Sequence, residues 1–222
     1  MTRITVACLD MAGTTVADDG VVMAAFHGAI GAQRLPAGGY DRAMRIAHDT
    51  MGQSKIAVFR DIFGDEATAQ QVNAAFEEHY AAAVAAGRIE PLPGAAQTLK
   101  QLRETGIRIC LSTGFSPVTR DSILDVLGWR DMIDLALSPA DAGRGRPFPD
   151  MALTALLRLG GGAVSELAVA GDTPSDIESG LRAGASVVAG VLTGTGTRAD
   201  FERAGAPLIL DSIAELVPYV TG

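Results

Sequence analysis

Apolar residues along the chain fall into two kinds of run. Short, nearly continuous stretches end in a polar or turn residue: Ile4 to Asp10, Ile107 to Thr113, Leu167 to Asp172 and Ser186 to Leu192. Runs that are apolar on both faces predict strands buried in a parallel sheet. Two shorter runs, Ile133 to Leu137 and Pro207 to Leu210, predict further strands. Thr119 to Leu127, Pro149 to Leu159 and Pro174 to Ala183 have helical spacing, and strand–helix alternation is the pattern of a doubly wound sheet. From about Val21 to Gly87 the pattern changes: apolar residues recur at helical spacing, no strand is evident, and Ala67 to Ala86 reads as one long helix. Pro91-Leu92-Pro93-Gly94 halts the chain before another helix, Ala95 to Glu104. The expected fold is α/β, a doubly wound parallel-sheet (Rossmann-like) core formed by residues 1–17 and 88–222, with a helical cap, residues 18–87, inserted after the first strand.

Composition narrows the function classes. With 222 residues and 48% hydrophobic content the chain can bury a full core. The net charge of -8, the absence of a basic run and the 5% aromatic content argue against a nucleic-acid partner. No stretch is long and apolar enough for a membrane span, and Met1-Thr2-Arg3-Ile4 enters a strand-like run without the basic and apolar segments of a secretory signal. A cytoplasmic location is expected, and a homodimer is compatible with it. Cys8 and Cys110 lie in strand-like runs, where reduced, buried thiols fit better than a disulfide framework or a metal site.

The chemistry collects at strand ends, where open parallel sheets carry their sites. Asp10, Ser112 or Thr113, and Asp172 each stand there, and Asp176 follows Asp172 across a helix start, Gly171-Asp172-Thr173-Pro174-Ser175-Asp176. Acids converging on one edge repel each other unless a cation compensates them, and a few hard oxygen ligands suit Mg²⁺. Asp172 and Asp176 also suit plain helix capping. A hydroxyl beside Gly114 and a basic residue in Gly145-Arg146-Pro147 complete a set fit for phosphate. Arg144 reads as a solvated loop residue, and Thr193-Gly194-Thr195-Gly196-Thr197 lacks the Gly-Lys of a nucleotide loop and reads as an ordinary connection.

These four ordered motifs, Asp10-x-Ala12-Gly13-Thr14, a strand-end Ser/Thr-Gly, a basic residue before Pro, and Gly171-Asp172-x-x-x-Asp176, resemble those of the haloacid dehalogenase superfamily over essentially the whole chain. The resemblance implies that Asp10 attacks phosphorus to form an aspartyl-phosphate that water cleaves. It implies Mg²⁺ held by Asp10, the Ala12 carbonyl and Asp172 with Asp176 in support, and phosphoryl oxygens held by Ser112 or Thr113, Gly114 and Arg146.

Most phosphatases of the superfamily carry a second Asp where this chain has Ala12, and losing such a general acid costs roughly 10²- to 10⁴-fold with an ester leaving group. Asp-x-Ala-Gly-Thr and Arg-Pro instead resemble the phosphonoacetaldehyde hydrolase (phosphonatase) branch, in which a cap lysine forms a Schiff base, so that carbon–phosphorus cleavage releases an enamine. That branch's Met-Gly-x-x-Lys pattern matches Met51-Gly52-Gln53-Ser54-Lys55, assigning Lys55 to the imine and Met51 to substrate contact. The chain has two lysines against 16 arginines, so a lysine at the matching position is less readily a generic cation, because only an amine can form an imine. Val58 stands where the pattern has His, Phe115 where it has Tyr and Met11 where it has Trp or another aromatic; His48 is the nearest substitute base. The expected activity is Mg²⁺-dependent cleavage of phosphonoacetaldehyde or a related small phosphonate. The alternatives are a phosphatase acting on a small phosphate ester without imine chemistry, and an idle regulatory or binding protein. Retention of Asp10, Ser112, Arg146, Asp172 and Asp176 argues against the last. A cap bearing Lys55 must reach the nucleophile, which places hinges at about Val16 to Asp19 and Gly87 to Pro93.

Overall fold

The computed structural model describes residues 3–221; residues 1, 2 and 222, which fall within the expected core boundaries, lie outside the described residues. The apolar runs form β1 (Val6–Asp10), β2 (Arg108–Ser112), β3 (Leu135–Leu137), β4 (Leu167–Gly171), β5 (Val187–Val191) and β6 (Leu208–Leu210). They make one parallel sheet in the order β3-β2-β1-β4-β5-β6. The order reverses between β1 and β4, the topological switch point at which such sheets bind ligands.

Side chains alternate between two covered faces. Ala7, Leu9, Ile109, Leu111, Ala168 and Ala170 belong to one large core with α5 (Ala95–Glu104) and α6 (Pro117–Leu127). Val6, Cys8, Cys110, Leu167 and Val169 pack with α8 (Asp150–Arg158) on the other, after a short α7 (Pro139–Ala142) that the apolar pattern does not signal. Cys8 and Cys110 are buried register partners on β1 and β2. The expected strand from Ile107 starts one residue later, because the Ile107 amide bonds back to Leu102 and closes α5. α9 (Pro174–Ala183) matches its apolar pattern to the residue; α10 (Arg198–Arg203) and α11 (Val217–Thr221) complete the fold.

Between β1 and α5 come α1 (Val21–Gly31), α2 (Gly39–Asp49), α3 (Lys55–Phe63) and α4 (Glu66–Ala85). They pack on one another around Phe26, Phe59 and Phe76, whose ring centroids are 4.8–5.9 Å apart. Val58, standing where a histidine was expected, is part of this apolar core, and its site faces packing rather than solvent or substrate. The two connections to the core run side by side: Ala17 donates to Glu90 at 2.8 Å, and Leu92 donates to Thr15 at 3.0 Å.

Candidate active site

Asp10 ends β1 and is register partner of Ser112 at the end of β2. Asp172 follows β4, and Asp176 sits in the first turn of α9, where Thr173 and Asp176 cap each other reciprocally behind Pro174. The capping reading of Asp176 is therefore correct but incomplete, since its other oxygen takes Arg146. Arg146 Nη1 donates to Asp10 Oδ1 at 2.5 Å and also to Asp176 Oδ1. All four of these charged residues are buried. Burial, with repulsion from Asp176 and against the pull of Arg146, pushes the Asp10 carboxyl up to about 6. Burial and the charges of Asp10 and Asp176 hold Asp172 well above the usual carboxylate range.

Asp172 is oriented by Thr14 Oγ1 at 3.4 Å, Thr195 N at 2.9 Å and Thr195 Oγ1 at 3.3 Å. The loop through Thr193–Thr197 is thus more than a connection: Thr193 Oγ1 also donates to the Gly13 carbonyl at 2.7 Å. No sequence signal marked it, because its partners lie about 180 residues and 23 residues away. Gly13 has φ +87, and a Cβ there would fall 2.4 Å from Asp172 Oδ2, so the motif's glycine lets the β1 turn pass against the carboxylate.

Lys55 begins α3 and is buried. Its amide donates to the Gly114 carbonyl at 3.2 Å, which seats the helix start on the core. The preceding loop packs as closely: Gly52 has φ +82, and a Cβ there would lie 2.3 Å from Thr173 Oγ1. Nζ lies 5.5 Å from the Phe26 centroid and 5.3 Å from that of Phe115, and has no hydrogen-bond or ion-pair partner among the described residues. Burial, then the positive charge of Arg146, lowers its pKa to about 8, against an opposing pull from Asp10, Asp18 and Asp172.

One small cavity, about 30 Å³, joins the two regions. Asp10, Ala12, Met51, Lys55, Thr113, Gly114, Arg146 and Asp172 all line it. Asp176 reaches the cluster through Arg146, and Ser112 does not line the cavity: it ends β2 beside the Cys8 thiol, while Thr113, one residue on, reaches the edge. Asp18, Val22, Phe115, Thr173 and Thr195 also line it. Asp18 was legible only as a hinge residue; its carboxylate accepts from the Val22 amide at 2.9 Å. His48 is exposed beside Asp49 and lines a separate surface pocket, so it does not replace the absent histidine. Arg144 is exposed and paired with Asp150, as its loop character implied.

The donor set suits a hard cation. Two buried carboxylates, Asp10 and Asp172, share the cavity with Ala12 at a place where burial and like charge disfavour ionisation, the condition a divalent ion relieves. The set is two side chains and a main-chain carbonyl; among the described residues no trio of His, Cys, Asp or Glu side chains is arranged as a metal cluster.

A doubly wound sheet with acids at its switch point and a helical insert after the first strand defines an α/β enzyme whose site is shared by core and cap. The chain belongs to the haloacid dehalogenase-like hydrolases, whose family model matches residues 4–184. A phosphonoacetaldehyde hydrolase from Parabacteroides distasonis is 29% identical over 152 residues, 57% of this chain and 56% of that protein. One from Bordetella pertussis is 26% identical over 187 residues, 73% of this chain and 68% of its own. The matches thus span from about half to two thirds of these relatives' length. A solved hydrolase from Pseudomonas syringae shares the fold with a TM-score of 0.84 at 24% identity over 97% of each chain. A phosphonoacetaldehyde hydrolase-like protein from Oleispira antarctica does so with 0.81 at 24%, covering 99% of this chain and 92% of its own.

Proposed function

We propose that the protein is a Mg²⁺-dependent phosphonatase-type hydrolase, cleaving the carbon–phosphorus bond of phosphonoacetaldehyde or a related small phosphonate, with residues 18–87 acting as the cap over a core of 1–17 and 88–222. The observation that carries this reading is Lys55: a buried cap amine without an ion-pair partner among the described residues, sharing a cavity with Asp10 and Arg146. A lysine serving as a surface cation would be solvated, and one serving structure would be paired.

In this reading the neutral Lys55 amine adds to the aldehyde carbon, and loss of water leaves a protonated imine. Asp10 attacks phosphorus; the electron pair of the breaking carbon–phosphorus bond moves into the imine and gives a neutral enamine, so no bare carbanion forms and Ala12 needs no acid. Water cleaves the aspartyl-phosphate, the enamine takes a proton at carbon, and hydrolysis of the imine returns Lys55 and acetaldehyde. Arg146 holds Asp10 in place and brings positive charge to the phosphoryl oxygens; its buried Nε has no partner among the described residues. Thr113 and Gly114 supply the remaining phosphate contacts, with Ser112 as their backbone support. When bound by Asp10, the Ala12 carbonyl and Asp172, with Asp176 behind Arg146, the Mg²⁺ neutralises charge on the transferring group. Met51 closes the cavity over the organic part. The cap hinges at 16–19 and 87–93, letting substrate reach a site that Lys55 and Gly114 otherwise seal.

Borohydride added with phosphonoacetaldehyde is expected to inactivate the enzyme covalently at Lys55, and Lys55→Arg, which keeps charge but cannot form an imine, is expected to lose carbon–phosphorus cleavage. Near-normal turnover by Lys55→Arg would replace this reading with ester hydrolysis, for which an aryl phosphate assay is the matching check.

A further inference from the structure

The ionisable side chains that line the small cavity are those of Asp10, Asp18, Lys55, Arg146 and Asp172. Asp10 and Lys55 are the reacting groups of the function proposed above, and Arg146 and Asp172 belong to the charged network around Asp10. That leaves Asp18. Its place is fixed where the chain leaves the core: the Val21 amide donates to its carbonyl at 2.7 Å, and the Val22 amide donates to Oδ1 at 2.9 Å. A carboxylate held in this way caps the start of α1. The other oxygen, Oδ2, makes no hydrogen bond among the described residues, yet it is not sealed away: Asp18 is half-buried, and the sealed, unpartnered side-chain atoms are Asn73 Oδ1, Tyr80 Oη and Arg146 Nε. One oxygen thus anchors the side chain while the other stays open. Asp18 and Lys55 make no ion pair among the described residues, but each acts on the other: the charge of Lys55 opposes the rise that burial imposes on the Asp18 carboxyl, and the charge of Asp18 opposes the lowering of the Lys55 amine. Asp19, next along the chain, adds to the rise at Asp18, and Asp18 in turn adds to the rise that burial gives Tyr80 on α4.

Forming an imine moves protons as well as carbon. When a neutral amine adds to a carbonyl group, the nitrogen must lose a proton and the oxygen must gain one, a task for a basic side chain held at the reacting atoms. The other candidates are elsewhere: Ala12 has nothing to ionise, Val58 packs inside the cap and His48 is exposed beside Asp49. We propose that Asp18 is the proton-transfer residue of the site, carrying a proton from the attacking Nζ to the carbonyl oxygen. The inference rests on the Lys55 reading above. As the nitrogen–carbon bond forms, the carbonyl π pair moves onto oxygen and the Asp18 carboxylate takes one proton from Nζ. The carboxyl so formed gives that proton to the alkoxide, which leaves a neutral carbinolamine and restores the carboxylate. The hydroxyl then departs as water with a proton drawn from solvent, and the nitrogen lone pair closes the protonated imine.

The test follows imine formation by itself. In Asp10→Asn phosphorus is not attacked and the imine accumulates, so enzyme, Mg²⁺ and phosphonoacetaldehyde are mixed, quenched into borohydride at successive times, and the reduced adduct on Lys55 is measured by mass spectrometry. At about pH 9 the amine, with its pKa lowered to about 8, is mostly neutral. There, adding Asp18→Asn is expected to lower the maximal rate by about 10²- to 10⁴-fold, the range of one proton-transfer group, with little change in the half-saturating aldehyde concentration. Asp18→Ser should be as slow. Asparagine keeps an oxygen for the Val22 amide and serine keeps a capping hydroxyl, so both variants should retain the wild-type circular dichroism. A role as counter-charge alone has the opposite sign: without Asp18 the Lys55 amine would lose its proton more readily, so adducts would form faster at about pH 7 and equally fast at about pH 9. Equal or faster formation in the Asp18 variants, or a loss confined to the half-saturating concentration, as a displaced α1 would give, would overturn the assignment. The two claims separate cleanly. Absence of the Lys55 adduct in Asp10→Asn and the wild type alike removes the imine and this role of Asp18 with it, whereas an adduct formed at equal rates with and without Asp18 removes Asp18 alone.

Discussion

At the strand ends the charged groups are held by partners: Arg146 is shared by Asp10 and Asp176, and Asp172 is fixed by Thr14 and Thr195. In the cap, Lys55 is equally buried yet sits between two phenyl rings with no counter-charge in contact among the described residues. The core half of the cavity is thus an ionic network whose members hold one another, and the cap half is one amine set apart from counter-charges, which the proposed function takes as the reactive group. Both are costly burials, since an ion removed from water is stabilised only by close partners. Under the proposed function the difference is chemical: a nucleophilic carboxylate must stay ionised and aimed, which Arg146 would assist, whereas an imine-forming amine must lose its proton, which an ion pair would prevent.

The sharpest way to break the comparison is at Asp10. Asp10→Asn fills the same volume but cannot attack phosphorus, so steady-state phosphate release should fall by about 10⁴- to 10⁶-fold, with circular dichroism unchanged. Activity near that of the wild type would take the nucleophile out of the core network. Next is the network's dependence on its cation. Arg146→Gln removes the partner of two buried carboxylates and should lower the unfolding free energy by about 3–5 kcal/mol in denaturant titrations with chelator present. A loss below about 1 kcal/mol, the size of a surface pair, would mean that the cluster does not rely on Arg146.

The amine is sharpened by pH. With a pKa lowered to about 8, Lys55 is mostly ammonium below that pH, and the reactive fraction falls about tenfold for each further unit. The rate of borohydride inactivation with phosphonoacetaldehyde should therefore rise with pH up to about 8 and then level off; a rise continuing to about 10 would mean an ordinary, solvated lysine. The smallest effect concerns the contact that holds the halves together. Glu77 of the cap accepts from Ser116 and Thr119 at the start of α6. Glu77→Gln should raise KM for phosphonoacetaldehyde about 3- to 10-fold with little change in kcat, by weakening a charge-assisted contact of the closed cap. An unchanged KM would leave closure to the Lys55–Gly114 contact alone.

Much of the fold was legible because it depends on local periodicity. All six apolar runs became strands, and α5 and α9 match their patterns to the residue. The order of the strand-end motifs along the chain likewise placed Asp10, Thr113, Arg146 and Asp172 on one cavity, since parallel strands deliver their C-terminal ends to one edge. Spacing could not separate Ser112 from Thr113, because adjacent residues at a strand end differ only in the direction they leave the sheet. Nor could it show that Val58 packs inside the cap or that His48 faces solvent, which depend on how α2 and α3 rotate against α1 and α4.

By itself the sequence determined the alternation of elements, the position of the insert and the identity of the groups at the strand ends, because hydrophobic period and chain order are properties of neighbours. Only the tertiary structure decided which groups meet. Arg146 bridges acids 136 and 30 residues away, the Thr193–Thr197 loop orients Asp172, and a lysine from the cap loses its water against Phe26 and Phe115. Burial and electrostatic coupling act through space, so the ionisation of Asp10 and Lys55, and with it the chemistry open to them, is settled by packing between segments far apart along the chain.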